Sequence, residues 1–128
     1  MGMNHQNLDR LAARHAQAII KRTNGKKASD IDNTITKALG VLQENGIYAC
    51  FLYLLAKEKE NGLVVVEEML NLLASLGFGW DKPEDLSTQA VLSHITEKVT
   101  IDLQRLLLAK ETLEQMLIYA RYGAKARD

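Results

Sequence analysis

Hydrophobic residues recur at helical spacing along most of this chain, and the longest such stretch covers residues 101–122. At about 100° of rotation per residue, its apolar positions form a stripe along one face. The residues of that stripe are Leu106, Ala109, Leu113, Met116, Leu117 and Ala120. Further apolar residues, including Leu108 and Tyr119, fall outside the stripe. A helix that is apolar on several sides is central in its domain or covered by a partner. We therefore expect a protein interface at Leu108 and Tyr119.

Two helices are predicted in the first third of the chain. The first covers residues 4–22, with Asn4 as its N-cap. The second begins at Ser29 or Asp30, because both residue types accept hydrogen bonds from the free amides of a helix start. Its end is predicted at an Asn-Gly pair, since glycine readily leaves the helical conformation.

Three shorter segments follow. Residues 47–56 are apolar almost throughout, which predicts a buried helix packed on the C-terminal helix. Residues 63–76 begin with Leu-Val-Val-Val, a local preference for a strand, but the helical spacing that follows favours a helix. Residues 87–97 form a further predicted helix that is capped by Ser87.

The boundaries complete a helical architecture without strand-like alternation. Glu-Asn-Gly occurs at 44–46 and again at 60–62, and both triplets predict helix ends at which glycine has a positive φ. Thr100 is the predicted cap of the last helix, and Gly123 its predicted end. We predict an all-α protein: one helical-bundle domain over residues 1–128, a compact bundle of five or six helices with a long C-terminal helix.

Charge is balanced in total but unevenly distributed. The 16 basic and 16 acidic residues give no net charge, which argues against a general polyanion binder. Residues 1–40 nevertheless contain seven basic and three acidic groups, whereas residues 41–100 contain four and nine. This asymmetry predicts a basic face and an acidic face.

The basic residues near the N-terminus form the clearest candidate site. Arg10, Arg14 and Lys21 lie within roughly 40° of one another on the polar face of the first predicted helix. Such cations bind phosphates irrespective of base sequence. The candidate RNA-binding residues are Arg10, Arg14, Lys21, Arg22, Lys26 and Lys27. An ordinary solvated helix face is the alternative that remains open.

Motifs of enzymatic chemistry are missing from the sequence. The three histidines, His5, His15 and His94, do not have the i, i+4 spacing of a helical metal site. There is also no hydrolase, phosphate-loop or Cys-x-x-Cys signature. His15 is interpreted as a partly buried, hydrogen-bonded histidine and the acidic pair 67–68 as surface charge. We predict a protein that is not an enzyme and has no catalytic residue, metal site or cofactor.

Two single residues and the N-terminus refine these expectations. Cys50 lies in an apolar run and predicts a buried structural thiol in a reducing compartment. The N-terminus lacks the apolar segment of a signal peptide, and no apolar run reaches the ~20 residues that span a bilayer, so we expect a cytoplasmic protein. Trp80 could stack on a base or anchor a partner, but a tryptophan that closes one end of the bundle is the favoured interpretation.

Three pieces of the chain resemble a known family. An Ala-rich first helix is followed by residues 39–51, Leu-Gly-Val-Leu-Gln-Glu-Asn-Gly-Ile-Tyr-Ala-Cys-Phe, in which Asn-Gly separates two helices. A closing helix from Ile95 contains Ala-Lys-Glu-Thr-Leu at 109–113 and Tyr-Ala-Arg-Tyr at 119–122, similar to the Glu-x-Leu and aromatic-basic ending of that family. On these residues the chain resembles the small helical subunit of the type III-B CRISPR effector, the Cmr complex.

The resemblance implies a non-catalytic subunit of an RNA-guided antiviral ribonucleoprotein. Copies of such a subunit stack beside the backbone subunits that carry the CRISPR RNA and help to hold the target RNA, while other subunits supply catalysis. The expected partners are other effector subunits, copies of this chain, CRISPR RNA and target RNA, and no membrane. Two alternatives remain open: the analogous type III-A small subunit, and a helical protein–protein adaptor or homo-oligomer without RNA contact.

Overall fold

A computed structural model describes residues 7–127 of the chain. Within this range α-helices and one π-helical segment follow one another, and no residue is in a β-strand. The elements are α1 Leu8–Arg22, α2 Ala28–Asn45, α3 Ile47–Lys57, α4 Glu60–Ala74, α5 Thr88–His94, the π-helical segment Ile95–Val99 and α6 Leu103–Arg127. The predicted all-α class, with a compact bundle and a long C-terminal helix, is confirmed.

Side-chain caps fix the starts of α1 and α5. The Asn7 side chain accepts a hydrogen bond of 2.9 Å from the amide three residues later, so α1 begins after Asn7. This start lies later in the chain than predicted, and the predicted cap Asn4 lies outside the described residues. Ser87 accepts a 3.3 Å hydrogen bond in the same way and caps α5, as predicted.

The long helix α6 starts and continues differently from the prediction. Asp102 rather than Thr100 provides the cap, because its carboxylate accepts a hydrogen bond of 3.1 Å from the amide three residues later. The helix also continues through Gly123 to the end of the described chain. A Cβ at Gly123 would lie 3.0 Å from Cγ1 of Ile20 in α1. This glycine therefore allows α1 and α6 to approach closely and does not end the helix.

The two Glu-Asn-Gly triplets have different structural roles. Gly46 has a φ of 98° and ends α2, as predicted. Gly62 lies within the first turn of α4, where an added Cβ would meet the Cβ of Glu58 at 2.4 Å, so close approach explains this glycine. The positive φ predicted for the second triplet is wrong. The predicted caps Ser29 and Asp30 are wrong as well, because both lie inside the first turn of α2.

Packing decides two further features of the bundle. Residues 63–66 are helical despite their strand preference, because Val65 and Val66 are almost completely buried in the core. The predicted contact between α3 and the C-terminal helix is wrong: α3 packs on α2, α4 and α5, whereas α6 packs mainly on α1 and α2. Phe51 and Leu54 of α3 are fully buried in the hydrophobic core.

Trp80 and Cys50 are both structural. Trp80 is 5% exposed and belongs to the hydrophobic core, and its ring meets that of Phe78 edge to face at 4.9 Å, so almost none of its surface is open to a base. Its predicted position at one end of the bundle stays a prediction. Cys50 is buried and donates a hydrogen bond of 3.4 Å to the carbonyl of Ala38, and burial raises its pKa to about 12. None of the helices in residues 7–127 combines the length and apolar character needed to cross a bilayer.

Candidate nucleic-acid interface

The first helix has two packed sides and one outer face. It packs on α6 along one side and on α4 along another. Leu11, Ala12 and Ile19 are buried between these neighbours. Since residues one turn apart share a face, the positions opposite this apolar stripe point outward.

Three of the predicted RNA-binding residues form a row on this outer face. Arg10, Arg14 and Lys21 are exposed, in agreement with the helical spacing of the sequence. None of the three forms an ion pair within the described residues, and the same holds for the exposed Lys27 at the start of α2. We refer to Arg10, Arg14 and Lys21 as the outer basic row. Its charges are available to an anionic partner.

The two remaining predicted RNA-binding residues are paired with acidic side chains. Arg22 binds Glu68 at 2.8 Å and also contacts Glu67. Lys26 forms an ion pair with Glu60, and this hydrogen bond lowers the pKa of the Glu60 carboxyl. The neighbouring carboxylates offset the charge of both cations and so weaken their attraction for a phosphate. An RNA contact at these two positions stays a prediction.

A partly buried charged network joins α1 to α4. His15 Nδ1 lies 2.9 Å from one oxygen of Glu68, and Arg22 donates to the other oxygen. Burial raises the pKa of Glu68, but hydrogen bonds from His15, Arg22 and Asn71 outweigh it and bring this pKa below its usual value. The carboxylate therefore stays charged inside the interface. The prediction of a partly buried, hydrogen-bonded His15 is confirmed.

The sequence interpretation missed Glu68. It is only 5% exposed, so its assignment to surface charge is wrong. The information was present in the spacing, because Glu68 shares a helical face with Val65 and Leu72, and both of these are buried. A carboxylate on a buried face requires charged or hydrogen-bonding partners.

An open groove of about 590 Å³ runs between α1 and α6. Its small and aliphatic lining residues are Ala13, Ala16, Ile20 and Gly123. At one end the hydroxyl of Tyr119 donates a hydrogen bond to Asp9, which raises the pKa of the tyrosine. Gln17 and Lys21 line the groove beside the outer face of α1. Lys21 therefore belongs both to the groove and to the outer basic row.

The predicted protein-interface residues lie at different depths. Tyr119 is partly buried against the core and bound to Asp9, and Leu108 is also partly buried. The start of α6 is far more exposed, with Leu103 at 65% and Leu107 at 56%. A partner contact through Leu108 and Tyr119 stays a prediction. The exposed leucines are a stronger apolar surface that the sequence interpretation did not single out.

The histidines do not form a metal site in the described part of the chain. His94 is 9% exposed, and its Nε2 has no hydrogen-bond partner within residues 7–127. Burial lowers the pKa of His94, and the nearby charge of Lys98 lowers it further. No cluster of three ligating side chains occurs in residues 7–127, and His5 lies outside this range.

Comparisons with known proteins do not assign a function to this site. No protein-family model, no curated protein and no solved structure matches the chain. The described residues thus form an all-α bundle whose α1 carries a row of cations without an acidic partner in residues 7–127. Membership of the CRISPR small-subunit family stays a prediction that rests on the quoted motifs.

Proposed function

We propose that this chain is a non-catalytic small subunit of a cytoplasmic type III-B CRISPR effector complex that contacts RNA through the outer face of α1. The observation that carries the proposal is the outer basic row, whose three cations are exposed and have no acidic partner in residues 7–127. From Arg10 to Lys21 the row extends roughly 16 Å along the helix axis. This length matches a few nucleotides of a strand.

The chemistry of the row fits a shared RNA contact. Each phosphate bound by Arg or Lys releases counterions, so the affinity depends on salt but not on base sequence. A row of three cations on a protein without net charge gives weak binding alone. Neighbouring subunits on the same RNA would supply the remaining contacts and raise the effective affinity.

The family assignment is supported by the motifs at residues 39–51 and 109–113, which resemble the Cmr small subunit. The partners in this proposal are other effector subunits, copies of this chain, CRISPR RNA and target RNA. Catalysis belongs to other subunits. The helical bundle is compatible with that role, and the analogous type III-A small subunit remains the nearest alternative.

A protein–protein adaptor without RNA contact is the second candidate. It is favoured by the exposed leucines Leu103 and Leu107 and by Ile101, which is 74% exposed. Exposed apolar side chains in one region commonly mark a protein contact. In that case assembly would not require RNA. It would instead be sensitive to Leu103→Glu, to Leu107→Glu and to changes at Leu108 or Tyr119.

The deciding experiment is gentle purification of the tagged chain from its native host, followed by identification of the bound proteins and RNA. CRISPR effector subunits together with short guide RNAs are the expected result. Recovery of the chain alone, or with unrelated proteins and no guide RNA, would contradict the proposal. RNase treatment of the lysate separates the two candidates, because only the adaptor would keep its partners unchanged.

A matched pair of charge reversals then tests the outer basic row. The test variant replaces Arg10, Arg14 and Lys21 by Glu, and the control replaces the exposed Lys37, Lys57 and Lys59 by Glu. Both variants change the net charge equally. Loss of three phosphate contacts should reduce the slope of log affinity against log salt by about 2 for single-stranded RNA. Equal RNA retention by both variants would remove the row from the proposal.

A further inference from the structure

We infer that the groove between α1 and α6 accepts one unstacked base of a single-stranded RNA whose phosphates lie on the outer basic row. The inference rests on the proposed function and extends it, because phosphate contacts alone do not distinguish single-stranded from duplex RNA. It assigns the groove to a ligand of stated chemistry: a nucleobase attached to a bound backbone.

The groove lies beside the outer basic row. Lys21 lines the groove and also belongs to the outer basic row, so the two features share an edge of α1. Ala13 and Gln17 also line the groove, and at about 100° per residue they lie roughly 60° and 20° from Arg10, on the side of the row that faces the groove. A strand bound along the row therefore passes the open side of the groove.

The lining of the groove is largely apolar and includes an aromatic ring. Ala13, Ile20 and Gly123 offer an apolar surface, and Tyr119 adds an aromatic ring whose hydroxyl is bound to Asp9. Every nucleobase has an apolar π-face, and stacking of that face on an aromatic side chain is favourable for any base. The groove therefore offers a base a less polar environment than water does.

Polar side chains line the margin of the groove. The Gln17 amide can donate to and accept from the edge of a base, and the Asp9 carboxylate can accept from an exocyclic amino group. The positive Lys21 and the negative Asp9 lie about 18 Å apart along α1. Inside the groove this arrangement favours a phosphate at the Lys21 edge and disfavours one beside Asp9, whereas Arg10 and Arg14 lie outside the groove. The groove therefore fits the base and not the backbone.

The volume of the groove fits a single base, and only a single strand has a base free to enter it. A groove of about 590 Å³ lies in the usual range of small-ligand sites, roughly 300–1,000 Å³. A base in a duplex is already paired and stacked, so its transfer into the groove would first have to break these interactions. Duplex RNA should therefore contact the row through its phosphates and leave the groove empty.

The test compares an oligocytidylate of about ten nucleotides with an abasic backbone of the same length and charge. Binding to the purified full chain is measured by fluorescence anisotropy of a labelled strand at low and moderate salt. The oligocytidylate should bind at least about fivefold more tightly than the abasic strand. Both should show the same salt dependence, because they carry the same phosphates.

A matched pair of substitutions on α1 locates the effect. Ala13→Leu fills the groove without a change of charge, and Ala18→Leu places the same side chain on α1 at a partly exposed position outside the groove. Ala13→Leu should remove the advantage of the oligocytidylate but keep the abasic affinity and the helical circular dichroism. Ala18→Leu should leave both affinities unchanged.

Each failure has a different meaning. Equal, salt-dependent binding of both strands by the wild-type chain would overturn the groove inference and leave the phosphate contact intact. Retention of the oligocytidylate advantage by folded Ala13→Leu would likewise exclude the groove. If neither strand bound in a salt-dependent way even at low salt, the RNA contact of the proposed function would fail together with the inference. Loss of a co-purifying protein only in Ala13→Leu, with unchanged RNA binding, would assign the groove to a protein contact.

Discussion

The outer face of α1 and its side toward α4 contain the same residue types in opposite surroundings. Arg14 is exposed on the outer face and has no acidic partner in residues 7–127. Two turns later, Arg22 is tied to Glu67 and Glu68 of α4. The difference does not come from the helix itself. It comes from the element that lies opposite each face.

This comparison separates structural charge from available charge. On the α4 side, Glu68 is 5% exposed and binds both His15 and Arg22, so its removal would take this hydrogen bond from His15 and leave Arg22 with Glu67 alone. On the outer face, the loss of a cation leaves nothing unpaired. A residue that the fold does not need can be retained for binding, and this supports the assignment of RNA contact to the outer basic row.

The largest expected effect is the loss of the partly buried network of Glu68, His15 and Arg22. Glu68→Ala should lower the free energy of unfolding by about 2–3 kcal/mol, below the ~3–5 kcal/mol typical of fully buried pairs because Arg22 remains partly solvated. Urea denaturation followed by the fluorescence of Trp80, the only tryptophan, measures this change. Glu67→Ala is the matched control, since its side chain is 40% exposed, and should cost less than about 1 kcal/mol.

Equal effects of the two substitutions would contradict the distinction between them. In that case the network between α1 and α4 would contribute no more than an ordinary surface ion pair. Arg22 would then be as available to RNA as Arg14, and the paired and unpaired cations of α1 could not be separated by their role in folding.

Acidic pH should lower the free energy of unfolding by a smaller amount, through the paired charges between α1 and α4. In the folded chain the pKa of Glu68 lies below its usual value, because its hydrogen bonds outweigh burial. Its contribution to stability is therefore complete above the ordinary carboxyl pKa and is lost as the pH falls through the lower, folded pKa. Glu68→Gln should flatten the stability profile in this acidic range, measured by urea denaturation at a series of pH values.

Arg14, on the outer face of α1, provides the control for the experiment in acid. Arg14→Gln should leave the shape of the same profile unchanged, because Arg14 has no carboxylate partner in residues 7–127 whose ionisation it could influence. A profile that is equally steep in Glu68→Gln and in the wild-type chain would show that other carboxyl groups cause the loss of stability in acid.

Local physics explains which parts of the molecule could be predicted from its sequence. Helical spacing, together with the Ser87 cap for α5, predicted each α-helix found in residues 7–127, and it placed Arg10, Arg14 and Lys21 on one face, because periodicity is a property of the helix alone. The Ser87 cap was also predictable, since a cap requires only its own backbone neighbours. These features need no knowledge of what packs against the helix.

The remaining features depend on contacts between distant parts of the chain. Gly123 was predicted to end a helix, but it lies inside α6 where Ile20 of α1 approaches. Glu68 was interpreted as surface charge, but it faces His15 and Arg22 across an interface. Periodicity gives the direction of a side chain from its own axis. It does not show which helix occupies that direction.

The smallest expected effect on folding concerns the outer basic row. Combined replacement of Arg10, Arg14 and Lys21 by Ala should change the free energy of unfolding by no more than about 0.5 kcal/mol per site, the usual range for surface positions. Alanine also favours helix, which offsets the small loss of side-chain packing. Urea denaturation of the triple variant and of Arg22→Ala provides the test. Arg22→Ala is the comparison because it leaves Glu68 with one partner fewer. A loss of stability in the triple variant as large as in Arg22→Ala would mean that the row supports the fold, and its availability to RNA would no longer follow from its unpaired charges.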